Sequence, residues 1–228
     1  MLSIKDLSFS YNEELVLKDI NMSFETNHIH GIVGLNGSGK TTFFNVLSGF
    51  LSADNGTVLL NDVEVLKKNI AYIDAESFFY PKLTACEFLS VFPKTNRNFN
   101  ETELAHIFNL PLDEFIENYS TGMKKKLLIL SQLKQDKQLF IFDEPFNGLD
   151  IESNKSLQYI IELLNKKGKT IFIASHIIEP LFGLCHQIHH LKNKNFTKSY
   201  LPSEYELLNK EVFGEFDEHL KYILNKSL

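Results

Sequence analysis

Apolar and polar residues alternate along Leu2-Ser3-Ile4-Lys5-Asp6-Leu7-Ser8-Phe9-Ser10-Tyr11, the period of a half-buried strand. Asn12-Glu13-Glu14 reads as a turn, and Leu15 to Phe24 as a second, mostly extended stretch. Asn27-His28 then turns into Ile29-His30-Gly31-Ile32-Val33, an apolar run short enough for a buried strand. Phe43-Phe44-Asn45-Val46-Leu47 carries apolar residues at helical spacing. Beyond the turn cluster Ser52 to Gly56, Thr57 to Leu60 and Val63-Glu64-Val65 are the arms of a hairpin closed by Asn61-Asp62. Ile70-Ala71-Tyr72-Ile73 is a further short strand.

From about Asp74 to Lys134 the pattern becomes helical and rich in aromatics: Phe78, Phe79, Tyr80, Phe88, Phe92, Phe99, Phe108, Phe115 and Tyr119. Leu83 to Phe92 is one helix, with Thr84 and Glu87 at capping-box spacing and Pro93 past its end. Asn100 to Leu110 is a second, stopped by Pro111, and Asp113 to Asn118 a short third. An aromatic stripe at this spacing reads first as core and second as a partner-binding face. Strand character returns in Gln138 to Phe142, which ends in Asp143-Glu144-Pro145. Asp150 and Ser153 are candidate caps for a helix running to Lys167, and Gly168 ends it. Lys169 to Ser175 is a buried strand with His176 at its carboxyl end. Ile177 to Leu184 is expected to be a short helix, Gln187 to Leu191 an edge strand, and Tyr200 to Leu228 two amphipathic helices separated near Gly214.

These elements predict an α/β protein. An N-terminal antiparallel β subdomain precedes a core made of residues 1–73 and 135–199. A helical subdomain, 74–134, is inserted into that core, and 200–228 form a helical extension. The length of 228 residues and the hydrophobic share of 43% suffice for a substantial core. The net charge of -6 argues against a nucleic-acid partner. No apolar run is long enough to span a bilayer, and the first residues lack signal-peptide architecture. Cys86 and Cys185 form no disulfide framework, and with His189-His190 they lack metal-ligand spacing.

Gly34-Leu-Asn-Gly-Ser-Gly-Lys-Thr-Thr42 changes the picture. It fits the phosphate-binding pattern G-x-x-x-x-G-K-[ST] at Gly34, Gly39, Lys40 and Thr41, between a strand and a helix as that pattern requires. Glycines let backbone N–H groups approach a triphosphate, Lys40 would reach the β- and γ-phosphates, and the Thr41 hydroxyl would ligate Mg²⁺. Asp143 and Glu144, at the carboxyl end of an apolar strand, sit where open α/β sheets bind ligands. One carboxylate can help hold Mg²⁺ and the other can activate a water for attack on the γ-phosphate.

Taken together, these residues resemble the ATP-binding cassette (ABC) ATPases, and the resemblance covers almost the whole chain. Tyr119-Ser120-Thr121-Gly122-Met123-Lys124-Lys125 looks like the family's signature motif. Leu139 to Glu144 looks like its Walker B strand, Asn147-Gly148-Leu149-Asp150 like its D-loop, His176 like its switch histidine, and Tyr11 like the aromatic that stacks on adenine. The signature form Tyr-Ser-x-Gly-Met-Lys is similar to that of bacterial exporter-type members. The resemblance implies nucleotide contacts at Tyr11, Asn36, Gly37, Ser38, Gly39, Lys40, Thr41 and Thr42. Ser120 and Gly122 would complete the site on the ATP of an opposite subunit. Mg²⁺ would lie at Thr41 and Asp143, and the catalytic groups would be Glu144 and His176. It implies an ATPase that powers export through a separate multi-span membrane subunit, pairs with a second cassette (identical or not), and works at the cytoplasmic face of the membrane. The alternatives are a soluble ABC-type ATPase acting on nucleic acid or ribosomes, and a weakly hydrolysing ATP-binding regulatory subunit. The second is motivated by Ala75, which stands at the family's Q-loop glutamine; Glu76 is the candidate substitute. Lys124, Lys125 and Lys126, in the first turns of the signature helix, oppose its dipole and read either as triphosphate partners or as a solvated basic face.

Overall fold

The computed structural model describes residues 1–65, 67–75, 78–212 and 214. Its frame is two sheets. Strands β1 (Leu2–Tyr11), β2 (Glu14–Phe24), β4 (Asn55–Leu60) and β5 (Val63–Glu64) form an antiparallel sheet in the order β2-β1-β4-β5. Strands β3 (Ile29–Val33), β6 (Ile70–Ile73), β7 (Leu139–Asp143), β8 (Thr170–Ser175), β9 (Gln187–Lys192) and β10 (Asn195–Tyr200) form the second, ordered β10-β9-β3-β8-β7-β6. All its pairings are parallel except β9 with β10.

The apolar runs of β3, β7 and β8 are explained by burial on both faces. Leu139 and Ile141 of β7 and Phe172 of β8 pack toward the antiparallel sheet and α1 (Lys40–Leu47), with Phe43 and Phe44. Phe140 and Phe142 of β7 point the other way, into a core shared with α4 (Thr121–Leu133) and α5 (Ile151–Lys166). Phe88, Phe99, Phe108 and Tyr119 lie in that second core, so most of the aromatic stripe is packing. Phe78, Tyr80 and Phe115 are the exceptions, at 80%, 66% and 46% exposure.

Local signals set the helix starts. Thr84 and Glu87 close the expected capping box on α2 (Ala85–Ser90), Asn100 caps α3 (Glu101–Ile107), and Asp150 caps α5 through the Ser153 N–H. Four expectations are corrected. The stretch Ile177–Leu184 holds only a 3-10 turn, Glu179–Leu181, because Pro180 removes a backbone donor and Gly183 turns left-handed at φ 80°. Within Asp113–Asn118 only Ile116–Asn118 is helical, again a single 3-10 turn. The segment Gln187–Leu191 is no edge: it pairs with β3 on one side and with β10 on the other. Tyr200 therefore ends a strand instead of beginning a helix. The Asn193-Lys194 turn has positive φ at both residues, the geometry of a tight hairpin usually marked by Asn-Gly. Residues 205–212 are helical, while the second helix expected toward Leu228 lies outside the described residues.

The histidines of β3 and β9 have a structural role. His30 Nε2 donates to the Glu25 carbonyl at 2.8 Å, so its Nδ1 is free to accept from His189 Nε2 at 3.2 Å; His189 Nδ1 then accepts from the Ser199 hydroxyl at 2.7 Å. This proton arrangement keeps both rings neutral. Burial pushes His30 down to about 4 and His189 to about 3. The unfolded chain therefore takes up protons first. The stability these rings contribute is complete above pH 6.5 and declines as the pH falls toward 4, by on the order of a few kcal/mol for the pair. Melting temperatures measured from pH 7 to pH 4 should fall less steeply in a His30→Gln/His189→Gln variant than in the unaltered chain; equal slopes would refute this assignment.

Candidate functional site

Register assembles the site. Val33 pairs with Ser175, Asp143 with Ala174, and Ile73 with Phe142, so β3, β8, β7 and β6 end side by side. The residues that follow them, Gly34, His176, Glu144 and Asp74, thus share the carboxyl edge of the sheet. The phosphate-binding loop leaves β3 with no room for a side chain at its first glycine: a Cβ on Gly34 would lie 2.4 Å from the Leu191 carbonyl oxygen. At its end Gly39 adopts φ 101° as the N-cap of α1, a conformation that favours glycine.

Lys40 is buried. Its Nζ donates to the Gly34 carbonyl at 2.8 Å and the Leu35 carbonyl at 3.3 Å, and lies 3.9 Å from Glu144 Oε1. Burial lowers its pKa, an effect opposed by the carboxylates of Glu144 and Asp143. Thr41 Oγ1 donates to Asp143 Oδ2 at 2.6 Å. Asp143 is 0% exposed, and burial raises its pKa in spite of that bond. Glu144 Oε2 meets His176 Nδ1 at 2.9 Å and the Asn147 side-chain amide at 3.3 Å. Tyr11, Asn36, Gly37, Gly39, Lys40, Thr41, Thr42 and Glu144 line one cleft of about 410 Å³, to which Glu14 and Val16 also contribute. Ser38 differs from its neighbours. Its hydroxyl is buried with no hydrogen-bond partner among the described residues, and a Cβ on Gly34 would lie 2.6 Å from it.

The donor set suits Mg²⁺, a cation that takes oxygen ligands and keeps several waters. The Thr41 hydroxyl and the Asp143 carboxylate are adjacent, and Asp143 Oδ1 is buried without a hydrogen-bond partner among the described residues. Those residues contain no cluster of three His, Cys, Asp or Glu side chains able to hold a metal by themselves, so phosphate and water oxygens would complete the shell. Ala75 is half-buried and supplies no ligand, and Glu76 lies outside the described residues. The residue before it, Asp74, had no role in the sequence reading. Burial raises the pKa of Asp143 and of the Tyr72 hydroxyl, and the nearby charge of Asp74 adds to both shifts.

Ser120 and Gly122 do not line the cleft of their own chain. Ser120 caps α4 by accepting from the Met123 N–H at 3.2 Å, and a Cβ on Gly122 would lie 2.7 Å from the Gly148 carbonyl oxygen. Tyr119 is core: it is buried and its hydroxyl donates to the Pro111 carbonyl at 2.7 Å. Two of the three signature-helix lysines follow neither expectation. Lys125 and Lys126 are buried, with Lys125 Nζ on the Glu144 and Asn147 carbonyls and Lys126 Nζ on Asp150 Oδ2 at 3.2 Å. The clue in the sequence is spacing: Lys125 stands four residues before the buried Ile129, on the apolar stripe of α4.

A phosphate-binding loop between a parallel strand and a helix, with paired acids at the tip of β7, one strand removed across β8, defines a P-loop nucleoside triphosphatase. Residues 17–147 match the family model described as ABC transporter. The chain is 30% identical over 206 residues to the ABC transporter ATP-binding protein YtrB of Bacillus subtilis, covering 86% of this chain and 70% of that protein. It is 32% identical over 193 residues to the energy-coupling factor transporter ATP-binding protein EcfA1 of Thermotoga maritima, covering 79% and 74%. A solved ATP-binding subunit of an ABC transporter superposes with a TM-score of 0.80 at 26% identity, covering 94% of this chain and 93% of that one. The chain belongs to the ABC transporter family. It is an ATP-binding subunit and an ATPase of that family. No helix among the described residues is long and apolar enough to cross a membrane.

Proposed function

We propose that this chain powers export by closing on a second cassette around two ATP molecules, coupled to a separate multi-span membrane subunit at the cytoplasmic face. The observation that carries the reading is the split site. Lys40, Thr41 and Glu144 line one cleft, with Asp143 bonded to Thr41 and His176 to Glu144, while Ser120 and Gly122 start a helix that does not line it. A helix start of this kind suits a phosphate, and the one it caps would belong to the second cassette. The outward direction rests on the Tyr-Ser-x-Gly-Met-Lys form of the signature.

In this reading Tyr11 stacks on the adenine, and the loop from Asn36 to Thr42 binds the phosphates. Lys40 offsets charge on the β- and γ-phosphates. Mg²⁺ held at Thr41 and Asp143 would neutralise charge on the phosphate oxygens. Glu144 accepts the proton of the attacking water, and its carboxylate is aimed by His176 and Asn147. His176 also senses the γ-phosphate. The exposed Phe78 and Tyr80, beside the Q-loop position, offer an aromatic face to the membrane subunit. ATP turnover measured with and without that membrane subunit tests the reading. Stimulation by the partner is expected, and indifference to it would favour a soluble ATPase.

Ala75 favours the second reading, a regulatory subunit that binds ATP and hydrolyses it slowly. With Glu76 next along the chain as the candidate substitute, Ala75→Gln is expected to change turnover little. A rise of the ~10–100-fold typical of restoring a metal-orienting group would support the regulatory reading instead.

A further inference from the structure

We infer that Lys125 is a positioning residue for the catalytic turn, holding the backbone of Glu144 from the signature helix. Lys125 is 6% exposed, and its ammonium donates to the Glu144 carbonyl at 2.6 Å and to the Asn147 carbonyl at 3.1 Å. Two carbonyls three positions apart thus converge on one cation inside the protein, as they would on a bound ion.

The turn needs such a clamp. Glu144 has φ 48°, a left-handed conformation unusual for a residue with a side chain, and it precedes Pro145, which restricts it further. The hydrogen bond that would close the turn, Asn147 N–H to the Glu144 carbonyl, is long at 3.4 Å. On the other side Glu144 N–H is held by the Ala174 carbonyl at 3.0 Å. Lys125 therefore supplies the strong bond on the carbonyl side, and the orientation of that peptide decides where the Glu144 carboxylate points. A buried ammonium is costly unless paired. Here the carbonyls pair with it; burial lowers its pKa, and the charges of Glu144 and Asp143 offset part of that.

The same helix holds the turn at two further points, through Gly122 packed on the Gly148 carbonyl and the Lys126–Asp150 ion pair. The first turns of α4 and residues 144–150 accordingly behave as one piece. Positioning of Glu144 follows from this chain alone. Its consequence rests on the composite-site reading above: the helix that caps one ATP also sets the catalytic carboxylate for the other.

The test compares Lys125→Met with the unaltered chain and with Glu144→Gln, using single-turnover ATP hydrolysis, steady-state kcat and KM, equilibrium binding of a fluorescent ATP analogue, and thermal melting. Lys125→Met is expected to lower kcat by roughly 10–100-fold, the range for groups that orient a catalytic residue. KM and ATP affinity should stay within about twofold, since the phosphate loop is untouched. Added to Glu144→Gln, it should cause almost no further loss, because its effect passes through Glu144. An unchanged kcat, a matching loss of ATP affinity, or additive losses in the double variant would each overturn the inference. If Lys125→Met does not fold, Lys125→Gln, which keeps a donor for one carbonyl, carries the same comparison; loss of the fold in both would make Lys125 a structural residue and end the proposal. Full turnover in Glu144→Gln alone would instead defeat the catalytic reading of the site, a distinct result.

Discussion

Glu144→Gln should bind ATP with nearly unaltered affinity and hydrolyse it ~10²–10⁴-fold more slowly, the range for removing a general base. The substitution keeps the shape and most contacts of the side chain. An amide can still meet His176 Nδ1 and Asn147, which lie 2.9 and 3.3 Å from Glu144 Oε2. What it loses is the capacity to accept a proton, and a negative charge 3.9 Å from Lys40 Nζ. Removing that charge also relieves repulsion with the triphosphate, so binding is not expected to weaken. With hydrolysis stalled, the ATP-bound closed form accumulates, because a ligand shifts an equilibrium toward the state it binds more tightly. On a sizing column the variant should elute as a dimer with ATP and as a monomer without it. A variant that stays monomeric in saturating ATP would rule out the composite site, and one that turns over normally would remove Glu144 from catalysis.

Lys40→Ala should weaken ATP binding by roughly tenfold to a hundredfold, corresponding to a charged hydrogen-bonding group worth ~1.5–3 kcal/mol. Turnover should fall further, since the same ammonium offsets charge in phosphoryl transfer. Burial lowers the pKa of Lys40, and the carboxylates of Glu144 and Asp143 offset part of that. Its truncation leaves the Gly34 and Leu35 carbonyls without the Nζ donor they now share. Two measurements separate ligand loss from loop damage. The melting temperature without ATP should change little, whereas the rise in melting temperature on adding ATP should shrink with affinity. Unaltered affinity together with unaltered turnover would show that the loop does not bind the triphosphate.

Both predictions rest on residues legible in the sequence, and the reason is local. The loop from Gly34 to Thr42 spells its chemistry in contiguous residues, and its flanks announce a strand and a helix. Capping is equally local: Thr84 with Glu87, and Asp150 with Ser153, sit within one helical turn of each other. The errors fall where contacts are distant in sequence. Gln187–Lys192 has the length and composition of an edge strand, yet β10 covers its other side through a turn without glycine. The helix expected from Ile177 failed because its apolar residues suit a buried turn as well as a helix, and Pro180 and Gly183 decide against the helix.

By itself, the sequence determined the phosphate-binding loop, the paired acids at a strand end and the α/β character, since each is a matter of spacing within one segment. Only the tertiary structure decided which strand tips stand together, because parallel pairing of β3 with β8 joins segments more than a hundred residues apart and no periodicity encodes that register. It also decided that Ser120 and Gly122 lie outside the cleft of their own chain, and that Lys125 faces carbonyls instead of solvent or phosphate. A lysine in a sequence carries only its charge; where that charge goes is set by what the fold packs against it, here a left-handed turn with two inward carbonyls that an ammonium can satisfy.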